Sequence, residues 1–314
     1  MRYGVPYQGS KNKICDWLIE HLPSGDVFVD LFAGGCAVTH VALLSGKYNR
    51  IIVNDIGDAP ELFRNAVAGK YANEKRWISR EDFRALKDKD PYISLCWSFG
   101  NNRRDYLYAE EVEPWKKALH YARVFGDKSL LRDMGIELDG SAADVRKHHD
   151  EYKDKYIRWW LSRLETDYNE LVGLYRLRQR LQSLQRLQSL ERLQKLQRLQ
   201  KLQRLEVSQK DFSEVEIPEG AVVYADPPYR GTNQKGYGAT TFDHERFDEW
   251  LGRVPFMVII SEYTAPRGCV EVASIKKQSL LSATNSNGNG TERLFVQERF
   301  FKKYNELMSE GKLF

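Results

Sequence analysis

The 314-residue sequence predicts an α/β protein whose doubly wound sheet is interrupted by a mostly helical insertion. Three observations predict it. An apolar run, Val27-Phe28-Val29-Asp30-Leu31-Phe32, passes through Ala33-Gly34-Gly35 and is followed by a second, Ile51-Ile52-Val53-Asn54-Asp55. The middle of the chain, 60–205, is charged, helix-prone and rich in Trp, Tyr and Arg. Short apolar runs then return at 221–225, 256–261, 270–275 and 293–297.

Each element has its own signal. Ile14, Trp17, Leu18 and Leu22 recur at helical spacing and predict a helix over 12–22, ended by Pro23-Ser24-Gly25. Residues 27–32 predict a buried strand, 37–45 a helix and 51–55 the next strand, so that strand, glycine turn, helix and strand form one half of a doubly wound sheet. Ala221-Val222-Val223-Tyr224-Ala225 and Phe256-Met257-Val258-Ile259-Ile260-Ser261 read as further buried strands. The Ser/Asn/Gly-rich stretch 285–290 carries two Asn-Gly pairs, a hairpin signal between 270–275 and 293–297.

The insertion ends in a low-complexity tract, 178–206, in which Leu recurs every three residues from 181 to 205. Helix propensity favours a helix there. A three-residue step drifts by roughly 60° on an α-helix, so the leucines spiral round it; a bent helix or stacked short rungs are the alternatives. The tract holds eight Lys or Arg against two Glu, which fits either proximity to nucleic acid or a solvated basic face.

Composition bounds the rest. The chain is long enough for one large or two smaller cored domains, and 42% hydrophobic and 29% charged residues are ordinary for a globular protein. No apolar run approaches the roughly 18 residues of a membrane span, and Met1-Arg2-Tyr3-Gly4-Val5-Pro6 lacks the apolar core of a secretory signal; a cytoplasmic protein is expected. Cys15, Cys36, Cys96 and Cys269 are scattered without a Cys-x-x-Cys pair, so neither zinc nor a disulfide is indicated. His148-His149-Asp150 lies in a charged helical run without further ligands nearby, and Trp159-Trp160 reads as helix packing. The net charge of +4 permits a nucleic-acid partner without requiring one.

The most specific motif is Asp226-Pro227-Pro228-Tyr229, which follows the strand at 221–225. Ligands of open α/β sheets bind at the carboxyl ends of strands. An acid, two prolines that fix the backbone and an aromatic ring suit a planar substrate with an exocyclic amine: Asp226 and a backbone carbonyl accept its hydrogen bonds and the ring stacks. Gly34-Gly35 lets a backbone approach a ligand closely, and Asp55, at the end of the next strand, is placed for ribose hydroxyls. Together these read as a nucleoside pocket.

On these residues the chain resembles the Dam-like (D12 class, alpha group) DNA adenine-specific methyltransferases. Pro6-Tyr7-Gln8-Gly9-Ser10-Lys11 is similar to that family's aromatic-x-Gly-Gly-Lys motif, Asp30-Leu31-Phe32-Ala33-Gly34-Gly35 to its S-adenosylmethionine loop, and Ala225-Asp226-Pro227-Pro228-Tyr229 to its catalytic motif. The resemblance implies a Rossmann-like S-adenosylmethionine-dependent methyltransferase fold. It implies a discontinuous catalytic domain, 1–60 and 205–314, and a helical target-recognition insertion, 61–204, that includes the 178–206 repeat. It implies site-specific methylation of the adenine amine in double-stranded DNA by base flipping and direct in-line transfer, with Asp226, Pro227, Pro228 and Tyr229 catalytic. Tyr7, Gly9, Lys11, Asp30, Phe32, Gly34, Gly35, Asp55, Asp211, Phe212 and Asp226 would bind S-adenosylmethionine. Tyr7 stands where the family has Trp, and Ser10 replaces one glycine.

Asn101, Asn102, Arg103, Arg104 and Tyr106, in the segment Trp97–Tyr106, are the DNA-contact candidates: Arg reads guanine and phosphate, Asn reads adenine, aromatic rings wedge or stack. Lys276, Lys277, the 285–292 loop and Arg293 are weaker phosphate candidates. A monomer without metal or membrane attachment, bacterial or phage-encoded and possessing or lacking a restriction partner, is the expectation. The alternatives are a catalytically decayed DNA-binding protein, against which Asp226 and the intact glycine turn weigh, and a methyltransferase acting on the cytosine amine or on RNA, against which Asp226, the amino-terminal motif and the large insertion weigh.

Overall fold

The computed structural model describes residues 3–137, 155–159, 192–196, 199, 205–231, 242–276 and 291–310. His148-His149-Asp150, Trp160, Lys277, the 285–290 loop and most of the leucine tract lie outside these residues. The described residues divide into two compact units, Met1–Ala72 with Glu191–Phe314, and Asn73–Leu190.

Among the described residues of the first unit, seven strands form one mixed sheet in the order β3-β2-β1-β4-β5-β7-β6. They are β1 (Val27–Asp30), β2 (Arg50–Asn54), β3 (Leu205–Ser208), β4 (Val222–Ala225), β5 (Val258–Glu262), β6 (Cys269–Lys276) and β7 (Thr291–Gln297). The first five in chain order are parallel, and β7 runs antiparallel between β5 and β6. This is a Rossmann-like arrangement, as the sequence predicts. β1, β4 and β5 are buried along their whole length, which is why they read as continuous apolar runs rather than alternating ones. β6 leaves Glu271, Ser274 and Lys276 exposed, polar residues that discourage pairing with another chain at that edge.

The helices of this unit are α1 (Cys15–Glu20), α2 (Ala37–Ser45) and α3 (Ala59–Val67), with α8 (His244–Arg253) and α9 (Phe301–Glu310) in its second stretch. Val27, Val29 and Leu31 turn one face of β1 into a core shared with Val223, Ala225, Val258, Ile260 and, from α8, Phe247 and Leu251. Phe28 is buried and stacks on Tyr48 at 4.8 Å.

β3 corrects the helical expectation for the end of the leucine tract. Residues 192–196 are helical, but Leu205 opens a strand that pairs with Ile51. Ladder hydrogen bonds to β2 and the Arg50–Glu206 ion pair at 2.6 Å outweigh the local helix propensity. Leu193, Leu196 and Leu199 are all buried, and the Arg192 guanidinium donates to the carbonyls of Tyr3 and Gly4.

The second unit contains α4 (Arg80–Leu86), α5 (Pro91–Cys96), α6 (Glu113–Val124) and α7 (Ser129–Asp133). Ser79 and Asp82 form a reciprocal capping box at the start of α4, and Asp90 caps α5 ahead of Pro91. The unit is organised by aromatic rings. Trp77 meets Trp97 edge-on at 5.3 Å and stacks on Tyr108 at 5.8 Å, while Trp115 packs on Tyr156 and Tyr156 on Trp159.

Candidate active site

The parallel register sets the three key strand ends side by side. Asp30, the last residue of β1, pairs in register with Val53 on one side and Tyr224 on the other. Asp55 and Asp226 therefore leave β2 and β4 at the same edge of the sheet, flanking the glycine turn. The electrostatics agree: the charges of both Asp226 and Asp55 reach Asp30 and push its carboxyl upward.

The glycine turn is held from three directions. The Gly34 N–H donates to Asp55 Oδ2 at 2.8 Å, and Asp55 Oδ1 accepts the Gly57 N–H at 2.7 Å. The Val5 N–H donates to the Gly35 carbonyl at 2.8 Å, and Tyr7 lies over both glycines. A Cβ on Gly35 would collide with that of Tyr7 and sit 3.0 Å from the Val5 carbonyl, and Gly34 has φ +46°, so both positions need glycine. Gly9 is exposed with φ +79°.

Asp30 lies beneath the turn and is 1% exposed. Its Oδ2 accepts the Thr39 hydroxyl at 2.6 Å and the Thr39 N–H at 3.1 Å, which ties β1 to the start of α2. Burial raises its pKa to about 7 despite those bonds. Phe32 is packed against Phe212, Phe242 and Phe247, with centroids 5.5 to 5.6 Å away. Asp211 is engaged elsewhere: Arg246 forks onto both its oxygens at 2.6 and 2.9 Å and, with Ser213, holds its pKa down to about 2. Phe212 is 5% exposed and belongs to the core.

The Asp226–Tyr229 corner is tied together by several charged and aromatic contacts. Lys11 Nζ lies 2.6 Å from Asp226 Oδ1, 3.6 Å from Glu292 Oε1 and 4.4 Å from the centroid of the Tyr229 ring. The Tyr229 hydroxyl donates to Glu292 Oε1. Tyr229 is 8% exposed and meets Tyr263 edge-on at 4.6 Å. The Arg230 N–H donates to Glu262 Oε1 at 2.7 Å, and the Arg230 side chain pairs with Asp248 of α8 at 2.7 Å. Lys11 thus joins the amino-terminal motif to the Asp-Pro-Pro-Tyr corner.

Sequence reasoning passed over Glu262 and Glu292. Both are buried, and burial raises the pKa of each, that of Glu292 to about 7. Their signal was present: an acid closing Val258-Ile259-Ile260-Ser261-Glu262 and another opening Thr291-Glu292-Arg293-Leu294-Phe295 are out of place in apolar strands. Residue 292 is not part of a phosphate-binding loop, because β7 starts at Thr291. Arg293 faces Glu271 at 3.6 Å, and Lys276 is exposed at the end of β6.

In the second unit, the segment Trp97–Tyr106 folds back on itself through a Ser98–Tyr106 bridge and the Phe99 N–H to Asp105 carbonyl bond of 2.8 Å. Asn101 donates to the Leu95 carbonyl, and Asn102 bonds Asp105 and accepts the N–H groups of Arg104 and Asp105. Tyr106 is 8% exposed, with its hydroxyl on the Ile78 carbonyl. Arg104 and Phe99 face solvent, Phe99 at 62% exposure, on a turn where Gly100, Asn101 and Arg103 all have positive φ.

Among the described residues no group of His, Cys, Asp and Glu could hold a metal ion, and no helix is long and apolar enough to cross a membrane. No curated protein matches the chain. Residues 7–124 match the family model of the D12 class N6 adenine-specific DNA methyltransferases, a span that includes the Tyr7–Lys11 motif, the glycine turn, Asp55 and the Phe99 turn. Over those residues the match bears out the resemblance read from the sequence, and the seven-stranded sheet is consistent with the Rossmann-like fold of that family.

Proposed function

We propose that the chain methylates the exocyclic amine of adenine in double-stranded DNA, with S-adenosylmethionine as donor. The observation that carries this reading is the side-by-side emergence of the glycine turn, Asp55 and Asp226 from adjacent parallel strands. The turn fits a nucleoside: Gly34 and Gly35 let the Tyr7 ring pack directly against the backbone of the turn, and Asp55, at the end of the next strand, is the ribose acceptor. Ile56, next to it and 71% exposed, offers an apolar surface to a base. Bound there, S-adenosylmethionine supplies an electrophilic methyl group.

The remaining work falls to the chain. An amine inside a duplex is inaccessible, so the adenine is flipped out to reach Asp226. The Asp226 carboxylate and the Pro227 carbonyl accept hydrogen bonds from the amine, drawing its lone pair out of the ring. These bonds strengthen as positive charge develops on nitrogen, so they favour the transition state over the ground state. Lys11, 2.6 Å from Asp226 Oδ1, holds that carboxylate in position. Tyr229 stacks on the base, which displaces Tyr263 or Lys11 from the ring. Holding amine and methyl in line supplies much of the acceleration.

In the second unit, Arg103 and Arg104 are proposed to contact phosphate or guanine, and the exposed Phe99 to contact bases. Asn101 and Asn102 shape the turn that presents them, and Tyr106 buttresses it. Incubation with S-adenosylmethionine carrying a labelled methyl group and with unmethylated duplex DNA tests the reading: label is expected in N6-methyladenine after digestion. Label only in cytosine or RNA, or none at all, would overturn it.

A further inference from the structure

We propose that Glu292 is a positioning residue for methyl transfer, fixing the Tyr229 ring through its hydroxyl and sharing Lys11 with Asp226. The inference rests on the methyltransferase reading and deepens it. Glu292 is the second residue of β7, wholly buried, on the face it shares with the buried Leu294 and Val296. Burying a carboxyl in such company is unfavourable unless its partners compensate. Here the partners are the functional groups themselves: the Tyr229 hydroxyl, and Lys11 at 3.6 Å. A leucine would pack at this position and would take this carboxylate away from both.

Two things follow for the corner. The Tyr229 ring is held at its far end by this bond, so its position is set before a base arrives. Lys11 lies against Asp226 at 2.6 Å with Glu292 3.6 Å away, so its charge is shared between the two carboxylates. The carboxyl is poised to respond, because burial and the Asp226 charge push its pKa up to about 7 while Lys11 opposes them.

The test uses the full chain, labelled S-adenosylmethionine and unmethylated duplex DNA, with enzyme in excess so that one turnover is read. Glu292→Gln keeps the shape and an accepting oxygen but not the charge. It is expected to slow the single-turnover rate about 10-fold or more, in the range for loss of a charge-assisted contact. S-adenosylhomocysteine affinity and thermal midpoint should stay close to those of the wild type. The pH–rate profile should lose the inflection that Glu292 contributes. Tyr229→Phe, which removes the other end of the same bond, should slow transfer and should cost less in the Glu292→Gln background than alone. A Glu292→Gln rate within about 2-fold of the wild type, or losses from the two substitutions that multiply, would overturn the proposal. So would a fall in rate matched by equal loss of cofactor binding or of folded protein, and Tyr229→Phe decides the matter if Glu292→Gln does not fold. A wild-type protein that methylates no DNA rejects the methyltransferase reading itself, a separate result.

Discussion

Replacing Asp226 with alanine separates the chemistry of the corner from its stability. Lys11 is 9% exposed and Asp226 18%, so their 2.6 Å pair is largely desolvated. Removing one partner of a buried pair costs roughly 3–5 kcal/mol when the other charge is left alone. Lys11 is not left alone, since Glu292 remains 3.6 Å from its nitrogen, and a destabilisation of about 2 kcal/mol is expected instead. The chemical effect should be larger in relative terms. Losing a preorganised stabiliser of developing charge costs on the order of 100-fold or more in turnover, about 2.7 kcal/mol of barrier. Labelled-methyl transfer into duplex DNA under single-turnover conditions, beside thermal unfolding, measures both. The prediction is a folded protein, a few degrees less stable, with transfer reduced at least about 100-fold. Transfer within about 3-fold of the wild type would refute the role assigned to Asp226, whatever the melting curve showed.

Other perturbations probe the pocket and the surface. Gly35→Ala forces its new methyl group against Tyr7, and a destabilisation of about 1–3 kcal/mol with weakened S-adenosylhomocysteine binding in calorimetry is expected. Asp55→Ala frees the Gly34 and Gly57 N–H groups and should weaken that binding by about 10-fold or more, since each charged hydrogen bond contributes roughly 1.5–3 kcal/mol. Phe99→Ala, at an exposed position, should leave folding and cofactor binding unchanged and reduce DNA affinity in a fluorescence-anisotropy titration. The Asp30 pKa is raised in the folded state, so the folded chain holds its proton where the unfolded chain has lost it. The resulting stability is fully present below about pH 4 and declines as pH rises through about 7. Asp30→Asn should flatten that decline in urea unfolding measured across the window.

Much of the fold was legible because its central strands are buried on both faces. Runs such as Ile51–Val53 and Val222–Ala225 bounded by Gly, Pro or Asp admit few other readings. β3 was hidden because Leu205–Ser208 is short, only partly buried and continuous with a helix-prone tract; its pairing with β2 is a long-range event. The glycine turn and the Asp226–Tyr229 corner were legible because special backbone demands leave Gly and Pro in the sequence. The roles of Asn101, Asn102 and Tyr106 were not, since composition does not tell which side of a turn a residue faces. Asp211 likewise reads as a candidate ligand contact until Arg246, 35 residues later, is found on its carboxylate. Glu262 and Glu292 were visible as acids in apolar strands, but their partners lie on other elements.

Lys11, Asp226, Tyr229 and Glu292 come from three distant stretches of one chain. Translation delivers the glycine turn and Asp55 early, while the carboxyl that anchors the tyrosine emerges more than two hundred residues later. The glycine turn itself is hydrogen-bonded into strands made later, through Leu31 to Tyr224 and Asp55 to Ser208. The Lys11–Asp226–Tyr229–Glu292 cluster is complete only once β7 has joined the sheet.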